Sequence, residues 1–84
     1  MSDTKSRQAL RSELERTAAE LRTLRDQIRV QLHLGRLDAR DEWERLAPIL
    51  ESTLERAKAE LSKASLEAVA DVTEAARRLS HRPP

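Results

Sequence analysis

Four arginines, Arg22, Arg25, Arg29 and Arg36, are the residues best equipped for chemistry. On a helix their spacing gathers them close in angle, and guanidinium groups in a row grip phosphate or carboxylate oxygens through paired N–H donors. That chemistry is recognition, not catalysis. A nucleic-acid stripe ordinarily comes with a strong basic excess and with aromatic rings on which bases stack. Here the formal net charge is +1 and aromatic residues make up 1 % of the chain. The four arginines are therefore read first as a solvated face that bridges to acids on a neighbouring helix, and second as a phosphate-binding stripe.

The remaining candidates point away from an enzyme. His33 and His81 are the only histidines, and neither has an acid four residues away as a helix-borne metal site requires. His33 is placed more simply at the negative end of a helix. With no Cys there is no thiolate, no disulfide and no zinc-thiolate site. No nucleophile, base and orienting group come together, and there is no glycine-rich phosphate loop, so no catalytic residue, metal or cofactor is assigned. Trp43 is expected to plug the end of a hairpin over Leu32 and Leu37, its other reading being an anchor in a partner's groove. Gln31, at a core-like position among Leu and Ile, is either a boundary residue or a polar register pin that needs a symmetric partner.

The elements that must carry these residues are helical. The 84 residues include one Gly, no Phe and no Tyr, with 37 % charged, a composition of long helices rather than strands. Leu10, Leu14, Thr17/Ala18, Leu21, Leu24, Ile28 and Gln31/Leu32 recur at three- and four-residue steps, the stripe of a first helix over about 6–34. Gly35 sits where a helix needs a left-handed residue after its end, and Asp38 can cap the next helix, giving a turn at 35–38. A second helix is expected over about 39–80, with Trp43, Leu46, Leu50, Leu54, Leu61, Val72 and Leu79 on its apolar side. Several of its rows repeat every 11 residues: Leu46, Ala57, Ala68, Leu79 in one, and Trp43, Leu54, Ser65, Ala76 in another. Pro48 is expected to kink this helix, the alternative being a break there. Residues 1–5 and 81–84 are expected to be flexible ends of a single domain.

These lengths imply an all-α fold, an antiparallel two-helix hairpin whose second helix overhangs the first by about a dozen residues. Leu66, Val69 and Ala70 lie in that overhang. A modest core and an uncovered apolar end together predict a homodimeric four-helix bundle, with self-association through the thirteen large apolar residues named above. The first half carries a basic excess and the second an acidic one, which favours pairing of unlike helices. Acid-then-base pairs three apart, such as Glu13/Arg16, Glu55/Lys58 and Glu74/Arg77, are read as solvent-facing helix support. The function expected is a non-catalytic protein-interaction or structural module, with a nucleic-acid-binding dimer using the first-helix arginines as the alternative. Charges interrupt every apolar stretch, so a soluble cytoplasmic protein is expected and a membrane-surface role is disfavoured.

The segment Leu24-Arg25-Asp26-Gln27-Ile28-Arg29-Val30-Gln31-Leu32-His33-Leu34, followed by Asp38-Ala39-Arg40-Asp41-Glu42-Trp43-Glu44-Arg45-Leu46 and Pro48, resembles small bacterial helical proteins with an LRDxIRxxLHL…DAxDEWxxLxP pattern. The resemblance covers about a third of the chain and implies a bacterial cytosolic helical protein, with no activity attached. Residues 43–79 are also similar to the 11-residue amphipathic repeats of apolipoprotein-like domains. The hairpin architecture, by analogy alone, is similar to the plasmid ROP-type dimers that bind RNA.

Overall fold

The structure is a computed structural model that describes residues 2–35 and 37–81, with side chains described for 6–35 and 38–81. Three helices follow one another: α1 (Ser2–His33), α2 (Leu37–Ala59) and α3 (Lys63–Ser80). The all-helical class is as expected, and the described residues contain no strand. The two-helix hairpin is not. Helix two is replaced by α2 and α3, and the chain reverses at 60–62 instead of running straight to residue 80.

The first reversal follows its sequence signal. Gly35 takes φ +96°, the region open to glycine, and its N–H donates to the carbonyl of Leu32 as that of Leu34 does to Val30. The second reversal has no glycine. Ser62 adopts an extended backbone (φ −145°, ψ 165°), and its hydroxyl oxygen accepts from the N–H of Ser65 at 3.1 Å while its O–H donates to the Ser65 hydroxyl at 2.9 Å. That capping arrangement satisfies an N–H the new helix leaves open.

Pro48 lies inside α2, which continues through it, so the break considered there does not occur. The proline is exposed and its ring meets solvent. The physical reason for breaking at 60–62 is burial. A straight helix would bring Leu66 only to the first turn of α1 and carry Val69 and Leu79 past it, whereas the reversed α3 buries all three in the chain's own core. The overhang that called for a second protomer is thereby covered from within.

Folding back also rotates α3 relative to the expected rows. Ser65, Leu66, Val69, Thr73, Ala76, Leu79 and Ser80 are its buried residues, while Ala64, Ala68, Ala70 and Ala75 are exposed. Leucine and valine remove more apolar surface from water than alanine does, so they take the inner face. The Thr73 hydroxyl, buried with them, donates to the carbonyl of Val69 at 2.7 Å.

The core is one cluster. Leu14, Leu21, Leu24 and Ile28 of α1, Leu50 and Ala57 of α2, and Leu66, Val69, Ala76 and Leu79 of α3 are buried in it. Leu10, Leu32, Trp43, Leu46, Leu54, Leu61 and Val72 pack against it, half-buried. The helix boundaries differ from expectation in three places. α2 begins at Leu37, not near residue 39, so Asp38 lies inside its first turn instead of capping it from the turn. α1 begins at Ser2, not near residue 6, because no Gly or Pro interrupts the chain before Gly35 and the helix propagates back. His81 is not a loose end: its N–H closes α3 on the carbonyl of Arg77. Met1 and residues 82–84 lie outside the described residues.

The molecule measures 52 × 17 × 15 Å, with α1 spanning nearly its whole length at about 1.5 Å per residue. α3 packs extensively on both α1 and α2, while α1 and α2 touch along far less of their length. This asymmetry positions the site.

Candidate functional site

Because α2 and α3 are shorter than α1, the first turns of α1 run out past the corner at 60–62, and α1 and α2 part company on the way. A groove of about 600 Å³ opens there. Its α1 wall is one ridge: Arg7, Arg11, Leu14, Ala18 and Arg22, spaced four, three, four and four residues apart, with Glu15 beside them. Such steps stack side chains along a single side of a helix. Lys58 and Ala59 at the end of α2 and Leu61 in the corner form the other wall. Leu14 and Ala18 are buried and Leu61 half-buried, so the floor is apolar, while Arg7, Arg11, Arg22 and Lys58 are exposed along the rim. α3 contributes no residue to the groove, which opens on the face away from it.

The same seam continues toward Gly35. A second hollow of about 290 Å³ is lined by Arg29, Leu32 and His33 of α1 and Arg40 of α2. Arg40 sits 3.6 Å from Glu44, an exposed pair of little energetic weight. Between the two hollows Arg25 is half-buried; its Nε is buried without a hydrogen-bond partner and stands 3.9 Å from an oxygen of Asp26.

The sequence-derived arginines thus have three outcomes. Arg22 and Arg29 face the two hollows, Arg25 lies between them, and Arg36 lies outside the described residues. Sequence reasoning missed Arg7, Arg11, Arg40 and Lys58. Arg7 and Arg11 were legible, since they lie four apart in the same helix at angles close to Arg22. Lys58 and Arg40 were not, because only the antiparallel pairing of α1 and α2 brings them alongside.

Of the other singled-out residues, Trp43 is half-buried against the core and His33 is the last residue of α1. Leu37, part of the expected plug, has no described side chain. Gln31 is half-buried and bound within its own chain through its amide nitrogen, while its Oε1 is buried without a hydrogen-bond partner. Its Nε2 donates to the carbonyl of Ser80, while the Ser80 hydroxyl donates to Oε1 of Gln27 at 2.7 Å. Arg77 does not close on Glu74, three residues away, but on Glu20 of α1, with Nε 3.2 Å from Oε2. Hydrogen bonding to that carboxylate, with its negative charge, holds the Arg77 guanidinium above its ordinary range. Glu74 pairs with Arg78 at 3.1 Å, one turn along. The Gln31, Gln27 and Glu20 contacts fasten α3 to α1, while basic side chains line the α1–α2 seam.

Among the described residues no helix is long and apolar enough to cross a membrane, and no three His, Cys, Asp or Glu side chains gather as a metal would need. Comparison of the chain with family models, with curated proteins and with solved structures gives no match.

Proposed function

We propose that this chain is a non-catalytic helical interaction module that binds another protein along the seam between α1 and α2. The observation that carries the reading is the groove itself, an apolar floor with a cationic rim, built on rigid helices instead of on a loop. Self-association belongs to the same reading. It no longer draws on an uncovered α3 and rests instead on Val30, Leu34 and Ile49, whose exposures of 58 %, 76 % and 54 % leave large apolar side chains in water. A cysteine-free chain suits the reducing cytoplasm, where we place it.

A photoreactive benzoylphenylalanine at Glu15, inside the groove, compared with one at Glu67 on the outer side of α3, tests this in the cells that make the protein. A discrete adduct with one protein, formed from Glu15 and not from Glu67 and reproduced with the purified partner, is the expected result. Absence of protein adducts from Glu15 would contradict it.

One observation favours a second reading. The groove and the hollow beside it place Arg7, Arg11, Arg22, Arg29, Arg40 and Lys58 on the same seam, a row of charges that a phosphate backbone could follow. Nucleic-acid adducts from Glu15, and gel retardation of RNA or DNA that fades with salt and disappears in Arg22→Glu with Arg29→Glu, would establish that reading in place of the first.

A further inference from the structure

The geometry points to one kind of occupant for the groove: an acidic amphipathic helix of about four turns, supplied by another protein, which lies along α1 and completes a four-helix arrangement. This assignment rests on the interaction-module reading and names the partner's chemistry. Three features of the groove support it.

The first is shape. The wall from Arg7 to Arg22 is a straight ridge about 22 Å long at 1.5 Å per residue, and the surface complementary to a helix ridge is the groove of another helix. Ala18 and Ala59 project little and let a backbone come close. The second is the pattern of polarity. Leu14, Ala18 and Leu61 would receive leucines at three- and four-residue steps, while Arg11, Arg22 and Lys58 on the rim would meet carboxylates on the occupant's flanks. A nucleic-acid strand would use the rim but gain nothing from the apolar floor. The third is architecture. α3 covers one side of the α1–α2 pair and the opposite side is open, which is the vacancy a fourth helix fills in a bundle.

A second copy of the chain fits less well. Its outer acidic row, Glu67, Asp71 and Glu74 on α3, lies on the side away from its own groove. Seating that row in a neighbour's groove is a head-to-tail contact that propagates instead of closing.

The assignment is tested with the full chain and a fluorescein-labelled Glu/Leu amphipathic peptide of about 18 residues, read by anisotropy and circular dichroism in about 0.15 M salt. Controls are a scrambled peptide of the same composition, a Lys/Leu peptide and labelled oligouridylate of similar length. The Glu/Leu peptide should bind and become helical, with the scrambled peptide at least about tenfold weaker. Arg11→Glu with Arg22→Glu should weaken it by at least about tenfold while the protein keeps its helicity, and should make the Lys/Leu peptide the better ligand. That reversal separates lost complementarity from lost folding. Equal binding of the scrambled peptide, tighter binding of oligouridylate, or no effect of the double charge reversal would overturn the assignment. So would concentration-dependent growth of the chain alone that the same double variant abolishes. If the peptide fails while the Glu15 crosslink still identifies a partner protein, the acidic-helix assignment falls and the interaction-module reading stands.

Discussion

The two sides of α1 are closed in different ways. Toward α3, a helix carrying Val69, Ala76 and Leu79 is packed in, and polar contacts then lock the seam: Gln31 and Gln27 to Ser80 at one end, and Glu20 to Arg77 partway along. Toward α2, Arg7, Arg11 and Arg22 face Lys58 across a groove. Large apolar surface and unlike charges draw α1 and α3 together. Like charges along the other rim resist closure, so that seam stays available. One helix thus has a closed, packed side toward α3 and an open, cationic side toward α2.

The largest expected effect comes from the structural side. Ile28, fully buried on α1, should cost about 2–5 kcal/mol when cut to alanine, enough to remove cooperative unfolding from a domain this small. A denaturant titration checks it. Ser62→Ala removes the N-cap of α3 and should cost about 1 kcal/mol. Its hydrogen exchange should quicken in α3 before α2, which would sharpen the distinction between a helix held by its cap and packing and one held by the Gly35 turn. Gly35→Ala puts a side chain at φ +96°. Because nothing lies within 4 Å of the added carbon, the cost is backbone strain alone, about 1 kcal/mol by thermal melting. Smallest of all on stability is Arg11→Glu with Arg22→Glu, both exposed, expected within about 0.5 kcal/mol of the parent although it weakens capture of the acidic peptide by at least about tenfold. A large loss of stability in that variant would mean the rim is structural after all and would erase the difference between the two seams.

How much of this was written in the sequence differs from element to element. α1 and its stripe from Leu10 to Leu32 are explicit, because one uninterrupted period of three and four residues ends at the only glycine. The thirteen apolar residues named from spacing all lie in or against the core cluster. The corner at 60–62 was hidden for two reasons. The apolar rows run in phase across it, as a single helix would, and Ser62 followed three residues on by Ser65 looks no different from other polar stretches. Pro48 drew attention to a place where the chain does not turn. What decides the corner is tertiary: the gain from burying Leu66, Val69 and Leu79 against the rest of the same chain, which no local pattern records. The site was half legible. Arg22 and Arg29 were visible as a stripe, but the groove exists only because α2 ends at Ala59 while α1 runs on, and that depends on the unseen corner.

Whether α3 folds back along α1 is measured most directly as a distance between Val30 and His81, which line the same hollow at the Gly35 end of the molecule. The chain has no cysteine of its own, so Val30→Cys with His81→Cys accepts a spin label at each site without competition. Doubly labelled chains diluted into an excess of unlabelled protein report separations within one chain. The three-helix arrangement predicts a single short distance, below about 25 Å once the label arms are allowed for; a continuous helix two would carry residue 81 some 40 residues from the turn and give about 55 Å. The short distance would establish that α3 folds back along α1 and that the chain covers its own core. The long one would contradict the fold-back, and with it the groove on which the proposed function stands.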